Sequence, residues 1–369
     1  MEACAVIVAP SSAYSDSALG RIDTANNEDA VMSQDEGSRW IKLPEALFSS
    51  IMSVDPQFNP QYQASKVLSD DWLQKVMKMD EETATVWRRL DISYMSAICA
   101  PHADLETLKL MNDWNGWVFA FDDPFDEGDY TSNHMKATEE VLWSLSILDN
   151  VHPIISAEDH PIRHVLQSCW LRFQQRASPA LQYRWKQYLT LYCLGVLEQV
   201  DFQQRATRPT VDEYMNLRAR CVGALPCIGL MEYAEGIDLP RHVVEDVSLQ
   251  AITRITCDLV TLQNDVFSYR KDLIKGEDSN IIFIFKDQGL TDQEAVERIG
   301  EMLYDCYNKW RDAVANVPSW GDEIDEEVKK FIGGCQNLAL GNLHWSFYTP
   351  RYLGTDGEQV KQTRMIKLP

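Results

Sequence analysis

Ile255-Thr-Cys-Asp258-Leu-Val-Thr-Leu-Gln-Asn264-Asp265-Val-Phe-Ser268-Tyr-Arg-Lys271-Asp272 sets the frame for the whole chain. Up to Phe267 the segment is apolar on most sides, and a helix of that kind belongs at the centre of a large bundle. Its last turns carry an interruption. Asn264, Ser268 and Asp272 are spaced i, i+4, i+8, so they form a polar stripe on one helix face. An amide oxygen, a hydroxyl and a carboxylate make a ligand set for a hard cation. The bland alternative is a polar flank where the helix emerges into solvent. Residues 107–121 form a second stretch that is apolar on most sides.

Outward from these two segments the chain reads as helix throughout. Periodic apolar spacing predicts helices near 62–78, 82–97, 103–121, 134–149, 160–176, 180–203, 210–233, 241–272, 292–315 and 324–348. Pro101, Pro124, Pro153, Pro179, Pro209, Gly236, Gly276, Gly289 and Pro318 punctuate them. Ile281-Ile-Phe-Ile-Phe285 has strand composition but stands alone, and equally suits the start of a buried helix. The expected fold class is all-α, one large helical bundle over residues 39–353. Residues 1–38 hold seven acids against one base, Arg21, and are expected to be a disordered tail. Residues 354–369 are expected to be a C-terminal tail.

Composition narrows the function. The hydrophobic fraction is 45% and the net charge is −22, from 34 basic and 56 acidic residues. Such a chain offers no basic footprint for nucleic acid or anionic membranes. It also repels an anionic substrate unless cations or a local basic cluster intervene. Nine Cys occur without a CxxC, so a zinc or redox motif is not expected. No apolar run reaches the ~20 residues of a membrane span, and the N-terminus has no basic-then-apolar leader pattern. The expectation is a soluble, cytoplasmic protein without membrane insertion; a homodimer is compatible with it.

A second chemical signal is Phe119-Ala-Phe-Asp122-Asp123-Pro-Phe-Asp126-Glu127. An apolar helix ends in clustered carboxylates, with Pro124 expected to close it. Asp122 and Asp126 would share a face if the helix ran one turn further. Clustered carboxylates beside aromatics need a counter-ion, and Mg²⁺ favours one or two carboxylates plus substrate phosphates. Negative charge at a helix C-terminus also opposes the macrodipole.

The aspartate cluster, about 140 residues of helix, and then N-D-x-x-S-x-x-K-D resemble the class I terpene synthases, most closely fungal and bacterial sesquiterpene cyclases. Phe58-Asn-Pro-Gln-Tyr62, Ser69-Asp-Asp-Trp72 and Asn342-Leu-His-Trp345-Ser-Phe-Tyr-Thr-Pro-Arg351-Tyr352 extend the resemblance across residues 55–353. It implies the class I terpenoid synthase fold with a central apolar cavity. The implied reaction is ionisation and cyclisation of an isoprenyl diphosphate, farnesyl diphosphate before a C20 substrate, with three Mg²⁺ ions and release of pyrophosphate. Asp122 would bridge two ions, and Asn264, Ser268 and Asp272 would hold the third; Asp123 and Asp126 match the motif. The family usually has Glu at the position of Asp272. Arg218, Lys271, Arg351 and Tyr352 would bind the diphosphate. Arg218 is assigned by its offset of 46 positions before Asn264, with Arg220 as a competitor.

The segment after Arg218 carries its own clue. Pro226 lacks an N–H for the carbonyl of Val222, and Gly223 permits a break beside it. The resemblance places an effector carbonyl at Val222, where a freed dipole would face a developing cation. Phe119, one turn before Asp122, and Trp345 are the aromatics expected to face the cation. No His has Glu three positions before it, so a di-iron bundle is excluded. A second Asp-rich motif, expected of a chain-elongating prenyltransferase, is replaced by the Asn/Ser/Asp stripe. A non-catalytic helical interaction module would need neither polar stripe nor interior proline.

Overall fold

The structure, a computed structural model, describes residues 39–369 apart from positions 127, 150 and 206. The expected tail 1–38 therefore lies outside the described residues, as does Glu127. The rest is helical: α1 (Tyr62–Val76), α2 (Glu81–Leu90), α3 (Ile92–Cys99), α4 (Leu105–Asp126), α5 (His134–Ser146), α6 (Pro161–Gln174), α7 (Pro179–Gln203), α8 (Val211–Cys221), α9 (Ala224–Ala234), α10 (Arg241–Val244), α11 (Val247–Lys275), α12 (Ile281–Asp287), α13 (Asp292–Ala315), α14 (Asp322–Tyr348), α15 (Pro350–Leu353) and α16 (Gly357–Thr363). Two three-residue strands, β1 (Trp40–Lys42) and β2 (Met365–Lys367), form an antiparallel ribbon in which Ile41 faces Ile366.

The two central segments behave as their patterns require. Helix α11 packs against α8, α13, α14 and α15, and α4 against α1, α3, α6 and α9. Local chemistry sets many ends. Thr210 with Glu213 and Thr291 with Glu294 form capping boxes at the starts of α8 and α13. Gly276, at φ 72°, ends α11 in the left-handed region that glycine adopts without strain.

Three expectations are corrected. Pro124 does not close its helix: α4 runs through it to Asp126. The lost hydrogen bond and ring clash cost about 3 kcal/mol. Burial of Phe121 and Phe125, whose tilted rings have centroids 4.9 Å apart and continue edge-on to Tyr130, offsets that cost. The helices expected over 82–97, 210–233 and 241–272 are each broken once, the last between α10 and α11. Asp91, at φ 45°, separates α2 from α3, and Gly223, at φ 80°, separates α8 from α9. Pro226 then falls in the first turn of α9, where a missing N–H leaves no intrahelical bond unmade.

The third correction concerns residues 354–369, which are not a tail. Val360, Ile366 and Leu368 are buried, and Leu368 N donates to the Arg39 carbonyl at 2.8 Å. The apolar residues are too few and too closely spaced to show as a period, so only tertiary pairing reveals them. Deleting residues 364–369 exposes the sites filled by Ile366 and Leu368 and is expected to cost about 3–6 kcal/mol. A urea midpoint unchanged by the deletion would refute this.

Candidate active site

Helix α4 aims Asn115, Phe119, Asp122 and Asp126 along one face, because it continues past Pro124. Helix α11 aims Val260, Asn264, Ser268 and Asp272 back at them. The two stripes flank a cavity of about 650 Å³. Arg218 and Val222 enter from α8 and its end, Trp345 from α14, and Arg351 and Tyr352 from α15, with Lys271 at the rim. Of the thirteen residues singled out in the sequence, the structure brings twelve onto this cavity. Asp123 is the exception; it turns to the side, where its Oδ1 lies 2.9 Å from Arg351 NH2. Arg220, the competitor of Arg218, pairs with Glu198 at 2.7 Å and does not reach the cavity lining.

The lining combines charged and polar side chains with apolar and aromatic ones. Asp122 accepts from the Tyr192 hydroxyl at 2.9 Å, and Asp126 from Gln199 Nε2 at 2.6 Å. Burial, reinforced by Asp126, holds the Asp122 carboxyl well above the ordinary carboxylate range. Burial raises Asp126 too, against the pull of Lys271 and Arg218. Asn264 Oδ1 accepts from Arg218 NH2 at 3.2 Å, while its amide donates to Tyr352 Oη at 2.9 Å. Phe119 lies 5.5 Å from Trp345 and 5.1 Å beneath the Arg351 guanidinium. Trp345 Nε1 donates to the Leu90 carbonyl, which fixes the indole.

The donor chemistry fits divalent cations and a polyanion together. Among the described residues no three His, Cys, Asp or Glu side chains converge to hold a metal unaided. The oxygen donors are instead split between α4 and α11, an arrangement that leaves coordination positions for a ligand's own oxygens. Arg218 points the same way, since its Nε is buried and has no hydrogen-bond partner.

Comparison with known proteins agrees with this geometry. Residues 113–309 match the profile of terpene synthase family 2, C-terminal metal binding. The chain is 68% identical over 330 residues to terpene cyclase 4 of Gibberella fujikuroi, covering 89% of this chain and 90% of that one. The chain belongs to the terpene synthase family. It is also 38% identical to the (+)-eremophilene synthase of the same fungus, over 89% of this chain and 92% of the relative. Among solved structures, a-eudesmol synthase superposes with a TM-score of 0.71 at 19% identity, over 79% of this chain and 96% of its own. Cucumene synthase gives 0.70 at 19%, over 79% and 98%.

Several residues of this terpene synthase's cavity escaped the sequence reading. Tyr192 and Gln199 hold the two α4 carboxylates from α7, and their spacing of seven on an otherwise apolar face was the available signal. Gln199 also accepts from Arg218 NH1 at 3.4 Å and from the Cys221 thiol at 3.2 Å. Asn115, Cys227 and Asn342 add further polar atoms to the lining. Trp114 and Trp117 are fully buried against Trp185 and Tyr192 and belong to the core. No helix among the described residues is long and apolar enough to cross a membrane.

Proposed function

We propose that this synthase ionises farnesyl diphosphate with the help of Mg²⁺ and cyclises the resulting carbocation to a sesquiterpene, releasing pyrophosphate. The observation that carries this reading is the pair of facing oxygen-donor stripes at the mouth of a cavity with an aromatic wall. Relatives named for (+)-eremophilene, guaia-6,10(14)-diene and silphinene synthesis support the C15 substrate class. Bound Mg²⁺ ions, three in this reading, would supply Lewis-acid stabilisation of the departing diphosphate.

Each remaining role falls to this chain's own residues. Asp122 and Asp126 on one side, and Asn264, Ser268 and Asp272 on the other, would hold the ions, with Asp123 acting through its pair with Arg351. Arg218, Lys271, Arg351 and Tyr352 bind the diphosphate oxygens; the guanidinium planes suit bidentate contact. For Arg218 the unpartnered Nε is the donor available. Val222 is the C-cap of α8 and precedes the Gly223 break, so its carbonyl is left over by the helix and its dipole stays available at the cavity wall. The faces of Phe119 and Trp345 stabilise positive charge without reacting with it.

The direct test offers geranyl, farnesyl and geranylgeranyl diphosphates in turn, with and without Mg²⁺. Mg²⁺-dependent pyrophosphate release with a cyclic C15 product is expected from farnesyl diphosphate. Preference for the C20 substrate, a linear elongated product, or no release from any substrate would each overturn the reading. Phe119→Leu is expected to lower turnover about 2- to 30-fold and raise the share of acyclic product. A product profile identical to the parent's would remove Phe119 from the cation's path.

A further inference from the structure

Beyond the cation stripe itself, the turn that follows it contains a side chain with no assigned role. After Gly276 the chain reverses and brings Asn280 back over the end of α11. Asn280 is 1% exposed. Its amide nitrogen lies 2.9 Å from Asp272 Oδ2, 3.2 Å from Ser268 Oγ and 2.8 Å from the Asp265 carbonyl. Its amide oxygen accepts from Ile282 N at 3.0 Å and caps α12. That oxygen is therefore occupied, and Asn280 meets the stripe as a donor only.

We propose that Asn280 is a positioning residue for the metal stripe, holding Asp272 and Ser268 in the orientation that presents their oxygens to a divalent cation. The inference rests on the reading of Asn264, Ser268 and Asp272 as metal ligands. Its physical basis is a competition for one carboxylate. Lys271 Nζ lies 3.2 Å from Asp272 Oδ1 and draws the group toward the rim. The Asn280 amide and the Ser268 hydroxyl, at 2.7 Å, hold the other oxygen over the helix face. Removing the amide leaves the Ser268 hydroxyl to counter Lys271 and shifts the balance toward the lysine.

The same turn ties the stripe to the diphosphate side. Ile281 N donates to Asp265 Oδ2 at 3.1 Å, which also accepts from the Tyr214 hydroxyl at 2.7 Å. The other Asp265 oxygen lies 3.9 Å from Arg218 NH2. Residues 280 and 281 thus anchor both a metal-ligand pair and the carboxylate behind Arg218. Partners that orient metal ligands affect affinity by about 10- to 100-fold.

The test uses the full chain, Mg²⁺ and inorganic pyrophosphate, with melting temperature as the readout. Asn280→Ser keeps an oxygen that caps α12 but is too short to reach Asp272. Asn280→Asp keeps shape and cap but turns the donor into an acceptor. Asn280→Ser is expected to melt somewhat below the parent without ligand, and Asn280→Asp lower still because it sets a second buried carboxylate beside Asp272, yet each folded variant should need about 10- to 100-fold more Mg²⁺ for half of the pyrophosphate-dependent stabilisation. Unchanged Mg²⁺ dependence in either folded variant would overturn the proposal. So would failure of both to fold, which would make Asn280 a structural cap. Asp272→Asn separates this outcome from the underlying reading. If neither the parent nor Asp272→Asn responds to Mg²⁺ with pyrophosphate, the ligand assignment fails; a responding parent with indifferent Asn280 variants sinks only the positioning role.

Discussion

Asp122→Asn is expected to reduce turnover of farnesyl diphosphate roughly 10³-fold, the several kcal/mol that a bound metal contributes to a departing anion. The same change should leave the melting temperature in the absence of Mg²⁺ unchanged or higher. Asp122 is buried with Asp126 on the same face, and burial has already pushed its carboxyl far from its ordinary range. An isosteric amide removes that buried charge and its repulsion, while Tyr192 keeps a partner at the same position. Activity and stability therefore move in different directions. Parallel loss of both, measured by pyrophosphate release and thermal melting, would make Asp122 a structural residue.

A large effect on stability is expected from the single substitution Arg184→Met, at about 3–5 kcal/mol. Arg184 on α7 grips Glu232 on α9 through two bonds, Nε to Oε1 at 3.0 Å and NH2 to Oε2 at 2.5 Å. The Glu232 side chain is wholly buried. Burial pushes its carboxyl up to about 7 against the pull of Arg184. Without Arg184 the carboxyl rises further, because an attractive charge is lost while burial remains. A carboxyl whose folded pKa lies above its unfolded value favours the folded state at low pH and loses that contribution as pH rises. The deficit of Arg184→Met should thus be smaller near pH 5.5 than near pH 8. Urea midpoints at the two pH values measure it, and a pH-independent deficit would contradict the account.

Much of this was legible from the chain. The stripe of Asn264, Ser268 and Asp272 needed only the helical period. Helices α7 and α13, bounded by Ser178 with Pro179 and by Thr291, were legible because their caps are written in side chains. The break at Asp91 was not, since a left-handed residue other than glycine leaves no local signature. Pro124 misled for the opposite reason: its local preference was clear, and aromatic packing overrode it. Asn280 and Gln199 illustrate a further limit. Each acts by reaching a helix distant from its own pattern, and single-segment periodicity carries no information about that reach.

The ribbon of β1 and β2 makes the folded chain almost a closed ring. Trp40 sits opposite Lys367, so residues at the two ends of the described fold leave from one edge, far from the cavity mouth in sequence. A short peptide linking residue 369 to residue 39 would span little distance, and new termini could be opened at an exposed turn without crossing the bundle. Such a circularly permuted chain should cyclise its substrate as the parent does. Stretched between residues 39 and 369, by contrast, the fold should yield first at the ribbon, whose few bonds would break in succession before any helix felt the load.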